Sequence, residues 1–220
     1  MFLMPTGNTA SVTPVAISNV DSPVNTGTAT AYTFSSATLG TGKIVVIAEG
    51  SDESPNVTGI TIDGAAATEI TSEDNSGNMD VAMFYVDGNT SSSGDVVVTF
   101  ASNVTSCGLG VWLVTDAAAG GASDSQTAAA DTGTAALAVT INVPAKGGCI
   151  GGTGHNNSGS TNTWVGIDEV YDEVVDGGAH DTGHTGASKI FTAADATLDV
   201  TVTPSASSKR RLVCASFAPA

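Results

Sequence analysis

Apolar residues recur at every second position over short stretches of the chain, and Gly, Ser, Asn, Asp and Pro separate these stretches. Period two is the spacing of a half-buried β-strand, whose successive side chains point to opposite faces. Residues 28–34 (TATAYTF), 95–100 (DVVVTF), 136–143 (ALAVTINV) and 199–203 (DVTVT) follow it. Residues 107–114 (CGLGVWLV) are uncharged throughout and hold one of only two tryptophans. Such a run reads as a strand buried on both faces, and it is the expected centre of the fold. Asp63-Gly64 follows VTGITI and predicts a tight hairpin, because Asp-Gly accepts the positive φ angles of a two-residue turn. No window of about 11 residues carries a helical apolar stripe free of Gly and β-branched runs, so helix is predicted to be minor.

The strand pattern of the first half returns in the second. Residues 28–34 are answered by 136–143, 43–48 by 149–153, 57–63 by 164–168, 81–86 by 189–192, 95–100 by 199–203, and 107–114 by 212–217. The offset stays near ~105 residues, as tandem duplication predicts. The expected fold is therefore all-β: an antiparallel β-sandwich, jelly-roll-like, built from two pseudo-repeated halves at 25–116 and 134–220. Residues 117–133 read as the connector, and residues 1–24 as an N-terminal arm without a counterpart in the second half. Two tandem immunoglobulin-like domains are the alternative. Interleaved halves are favoured because the strands at 149–154 and 212–216 are poor in large side chains and suit packing against the bulky 107–114 strand.

Six Lys and Arg stand against 22 Asp and Glu, a net charge of −16. That field repels phosphate backbones and anionic lipid, so neither nucleic acid nor a membrane surface is an expected partner. Cys107, Cys149 and Cys214 show no metal-ligand spacing and read as small buried hydrophobes in a reducing compartment. The start, Met1, Phe2, Leu3, Met4 and Pro5, has no basic flank and does not read as a signal peptide. Synthesis in a cytoplasm is expected.

Candidate chemistry is sparse. Residues 168–184 gather Asp168, Glu169, Asp172, Glu173, Asp176 and Asp181 with His180 and His184. As a loop, this stretch offers calcium ligands in Asp168, Asp172, Asp176 and Asp181, or a transition-metal site on His180, Asp181 and His184, but it matches no established metal motif. A solvated acidic loop is the plainer reading. Gly151 to Gly159 lacks the Lys and helix of a phosphate-binding loop. His155 has Ser158 and Ser160 nearby without a third orienting group, so no catalytic residue and no cofactor is predicted. Trp164, Tyr171 and Tyr85 are candidates for a sugar-stacking platform. Lys209, Arg210 and Arg211 hold half of the positive charge in an expected turn, placed to dock on the acidic face of a neighbouring copy.

The phrases "VTGITIDGAAATEI", "GDVVVTFASNVTSCGLGVW" and "ALAVTINVPAKGGCIGG" and the ending "ASFA" resemble the β-sandwich virion proteins of tailed bacteriophages. The resemblance runs over nearly the whole chain. It implies a non-enzymatic virion component: a capsid decoration (cement) protein on the outer capsid surface, or a tail or fibre part. Its implied partners are the major capsid protein and neighbouring copies, as a homo-oligomer on the particle. Met1 to Pro5 and Lys209 to Arg211 are then the interface candidates. A carbohydrate-binding or adhesin module is the alternative from another class.

Overall fold

A computed structural model describes residues 11–52, 56–75, 78–157, 159–175, 182–206 and 208–220. It is an antiparallel all-β protein without helix among those residues, built from two halves that repeat one strand plan. In the first half, β2 (Val24–Thr38), β4 (Val57–Ile62) and the short β5 (Ala65–Ala66) join the leading part of β8 (Ser93–Thr115) in one sheet. The trailing part of β8 continues into the facing sheet, in the order β1 (Ala16–Asp21), β8, β3 (Gly42–Asp52), β7 (Asn78–Asn89), β6 (Thr68–Asn75).

The second half repeats this with the long strand divided. One sheet has β10 (Leu137–Val143), β15 (Asp195–Pro204) and β12 (Asn162–Val165). The other has β9 (Asp124–Ala130), β16 (Arg210–Phe217), β11 (Gly148–His155), β14 (Thr182–Ile190) and β13 (Asp168–Val175). A bulge marks the same place twice, between Glu69 and Thr71 in β6 and between Glu169 and Tyr171 in β13. Aligning the bulges matches the row Thr71, Met83, Ile47 with Tyr171, Gly186, Gly152, and the row Glu73, Val81, Glu49 with Glu173, His184, Gly154.

Of the two arrangements open from the sequence, hydrogen bonding follows the tandem one: the ladders run within halves. Packing keeps a feature of the other, because the halves share a core. Tyr32, Phe34, Phe84, Phe100, Leu109 and their neighbours fill the first sandwich. Leu137, Ile141, Cys149, Val200, Leu212 and Cys214 lie within the second. A third cluster, with Val45, Ile47, Met83, Trp112, Ile150, Tyr171, Val213 and Phe217, lies between the two larger sheets. Residues 107–114 are buried on both faces as expected, Leu109 and Val111 facing the first core and Trp112 and Val114 the shared one.

Three expectations change. The segment taken as an arm contains β1, and the segment taken as a connector contains β9; both are edge strands at equivalent places, one beside β8 and one beside β16. Edge strands bury little of either face, so AISNVD and DSQTAAA carry no clear alternation. Residues 168–175 form β13 instead of a loop. The hairpin at Asp63-Gly64 forms as expected, with φ of 48° and 78°.

Candidate functional site

The seam between the two larger sheets holds the unusual chemistry. Sheets normally stack about 10 Å apart with side chains meeting in the gap. Here glycines on one sheet receive large side chains from the other. A methyl group on Gly152 would lie 2.7 Å from Ile47, and one on Gly108 would lie 2.7 Å from the His184 ring. Gly154 is filled in the same way by Glu49, and Gly110 by the Tyr171 hydroxyl. The pairing is crosswise: Glu49 is paired with Gly108 in its own sheet, and His184 with Gly154 in the other. Each polar side chain therefore occupies the hollow left by the other's strand partner, and the two lie in one layer.

Burial dominates the electrostatics of that layer. Glu49 is 1% exposed, and neither carboxylate oxygen makes a hydrogen bond of ordinary geometry. Loss of solvation pushes its carboxyl up to about 8, against the Thr182 hydroxyl that favours the charged form and with added repulsion from Asp80. Burial, then the nearby His155, pulls His184 down to about 3. Tyr171 is raised by burial and then by Glu49, and it tilts against His184 at 5.0 Å and Trp112 at 6.0 Å between ring centroids. Near pH 7 the layer is thus a neutral acid beside a neutral imidazole. A protonated carboxyl brings one donor, and neutral His184, whose Nε2 has no hydrogen-bond partner, brings one donor and one acceptor nitrogen. The layer can hold and release protons at the cost of stability, but it is closed to substrate.

Two other buried groups sit outside the seam. Asp80 accepts from the Val57 N–H, and burial raises it to about 7 despite that bond. His155, opposite Arg210 across the β11/β16 ladder, is lowered by burial to about 4.

The residues singled out from the sequence do not assemble. Asp168 lies on β13, 3.8 Å from Lys189, and Asp172 is exposed further along that strand. Asp176, His180, Asp181 and Ser158 lie outside the described residues, as do Met1 to Pro5. Among the described residues, no three His, Cys, Asp or Glu side chains come together to hold a metal. Tyr171 is interior, Trp164 packs into the second core with its indole N–H donating to Thr185, and Tyr85 flanks Lys43. No common sugar platform forms.

Arg210 and Arg211 require a correction, since both are 1% exposed in β16 instead of solvated in a turn. Arg210 donates to Gly133 O; Arg211 pairs with Asp131 at 2.9 Å and donates to Ala130 O. Lys209 is half-buried, its backbone N–H bound to Asn156. The two arginines secure the start of β16 and present no charge to a neighbour. An open surface hollow of 410 Å³ has Lys43 at its floor, but that ammonium already binds Asp87 at 3.3 Å and the carbonyls of Ala118 and Gly120.

Sequence reading missed the seam because its members, Glu49, His184, Tyr171 and the glycines, come from five strands. The one available signal was the spacing Gly152, Gly154 and Gly108, Gly110, which leaves two successive same-face positions of each strand without side chains. No protein-family model matches this chain, and no curated protein matches it.

Proposed function

We propose that this chain is a structural protein of a tailed-phage virion, a decoration protein that binds the outer capsid shell through protein–protein contacts. The observation that carries the reading is the glycine-lined seam. It fuses two sandwiches into one four-layer body and encloses the side chains with perturbed acid–base chemistry, leaving an acidic surface with scattered exposed Val12, Val24, Val165, Val170, Val174 and Ile190. A body of this kind is suited to holding shape while its surface makes contacts. The net charge of −16 keeps it off the packaged nucleic acid. The phrase-level resemblance to virion β-sandwich proteins points the same way.

Quantitative mass spectrometry of purified particles tests this. Hundreds of copies in a simple ratio to the major capsid protein support decoration. A handful of copies moves the chain to the tail or fibres, and absence from particles removes the virion reading. Of the proposed arm, residues 1–24, only the first ten are deleted in the test, because deleting through residue 24 also removes β1, whose Ile17 fills the hollow at Gly148. A chain lacking residues 1–10 is expected to fold and to lose shell binding; unchanged binding refutes the arm.

A further inference from the structure

We propose that Cys149 and Cys214 form a disulfide site, closed by thiol–disulfide exchange with a small disulfide such as oxidised glutathione. The two Sγ atoms are 3.2 Å apart in the core of the second sandwich. The two thiols are in hydrogen-bond contact, one S–H donating to the other sulfur, and about 1 Å of further approach of the sulfurs reaches bond length. Their strands are neighbours in register: Cys149 stands opposite Ser216, and Cys214 opposite Gly151. Two residues separate the positions along the ladder, so both side chains lie on the same face of the sheet as diagonal neighbours, a spacing of about 7–8 Å in a regular ladder, and closing the bond requires the two strands to draw together at this point.

The surroundings favour this pairing over any other. Gly151 presents no side chain where Cys214 leans toward Cys149, and Ser216 turns its hydroxyl away to donate to Asn142 O. Cys107 lies in the core of the other sandwich and has no cysteine near it. The site is a duplex of thiols in an apolar enclosure, with one possible connectivity.

The chemistry balances without any further reactant. One protein thiol loses its proton and attacks a sulfur of oxidised glutathione, forming a mixed disulfide and releasing a glutathione thiolate that takes up that proton. The second protein thiol, deprotonated in turn, attacks the protein sulfur of the mixed disulfide and expels the second glutathione as a thiol. Two protein thiols are oxidised and one glutathione disulfide is reduced. Both cysteines are fully buried, so exchange runs while β11 and β16 are still coming together or are transiently open. The neighbouring Cys214 thiol, then burial, raises the Cys149 thiol well above its ordinary value, which further slows attack once the sandwich has closed.

The test refolds the full chain from denaturant in a buffer of reduced and oxidised glutathione, so that access to the folded core is not limiting. Alkylation under denaturing conditions is expected to count one free thiol where the reduced chain has three. Tryptic fragments containing Cys149 and Cys214 are expected to run as one linked species that reductant separates. The linked chain should melt about 10 °C higher than the reduced one, because a long loop is closed in its unfolded state. Cys107→Ser should keep the link, and Cys149→Ser should leave Cys214 free. Three free thiols at redox equilibrium, a link through Cys107, or a linked chain that melts below the reduced one overturns the proposal.

Discussion

The two sandwiches share a strand plan and differ in where they keep their bulk. In the first, four aromatic rings fill the interior and β8 runs unbroken for 23 residues through both sheets. In the second, the corresponding strand is divided into β15 and β16, and the buried interior is Leu, Val and Ile with Cys149, Ala187 and Cys214 among them, while the rings of Trp164 and Phe191 are only partly buried against it. The difference continues at the seam. Where the first half has Ile47 and Glu49, the second has Gly152 and Gly154, and the large side chains enter those gaps. The second half is therefore not a weaker copy. Receiving is mutual, since His184 and Tyr171 of the second half fill the hollows at Gly108 and Gly110 of the first, and part of the stability of each half resides in side chains of the other.

The largest expected effect lies at the seam. Trp112 is fully buried there, and Trp112→Ala is expected to cost about 5 kcal/mol and to split unfolding into two transitions. Calorimetry reads both; a single cooperative transition at near-normal temperature would show that the seam holds the halves together without Trp112.

Next in size is a pH effect. Glu49 is ionised above about 4.5 in the unfolded chain but stays protonated to about 8 in the folded one, so the folded state binds the extra proton across that window. Stability from Glu49 is full below pH 4.5 and falls as pH rises, by about 4 kcal/mol at pH 7.5. Asp80, raised to about 7, acts in the same direction. His184 and His155 act oppositely: their contribution is full above 6.5 and is lost as pH falls toward their folded values of about 3 and 4. Glu49→Gln removes only the first of these. The stability difference between Glu49→Gln and the natural chain should grow by about 4 kcal/mol in favour of Gln from pH 4.5 to 7.5; denaturant midpoints that shift in parallel across this range would sink the assignment.

Smaller effects are expected at single glycines. A methyl group on Gly110 meets the Tyr171 hydroxyl, so Gly110→Ala should cost about 2 kcal/mol. Tyr171→Phe removes that hydroxyl, which has no hydrogen-bond partner, and should recover most of the loss in the double variant. Additive losses would place the clash elsewhere. Gly59 in β4 has nothing within 4 Å of a built methyl, and Gly59→Ala should stabilise the chain by about 0.5 kcal/mol through the unfolded state alone. Measurable destabilisation there would mean that a strand glycine matters in this protein even away from the seam.

Alternation and turn chemistry made much of the fold legible. The repeat, the hairpin at Asp63-Gly64 and the doubly buried run of β8 all follow from local pattern. Edge strands were not legible, because AISNVD and DSQTAAA have no face buried deeply enough to demand apolar residues. Arg210 and Arg211 were misread for a related reason: charge predicts exposure unless carbonyls such as Gly133 O and Ala130 O wait inside, and chain-distant acceptors leave no local mark. The seam was the least visible, since a glycine announces missing volume without naming the residue that fills it.

Ile47 faces Gly152, its own counterpart in the other half, and Glu49 faces Gly154, likewise its counterpart. Like positions meeting in this way are the mark of an approximate twofold axis inside a single polypeptide. Two identical separate subunits on that axis would have to set Ile against Ile and Glu against Glu, with no hollow to receive either. Joining the copies in one gene lifts that symmetry. A mutation to glycine can then fall on one side only, leaving the opposite residue free to stay large, and a lock of this asymmetric design becomes accessible that no homodimer of the ancestral half could encode.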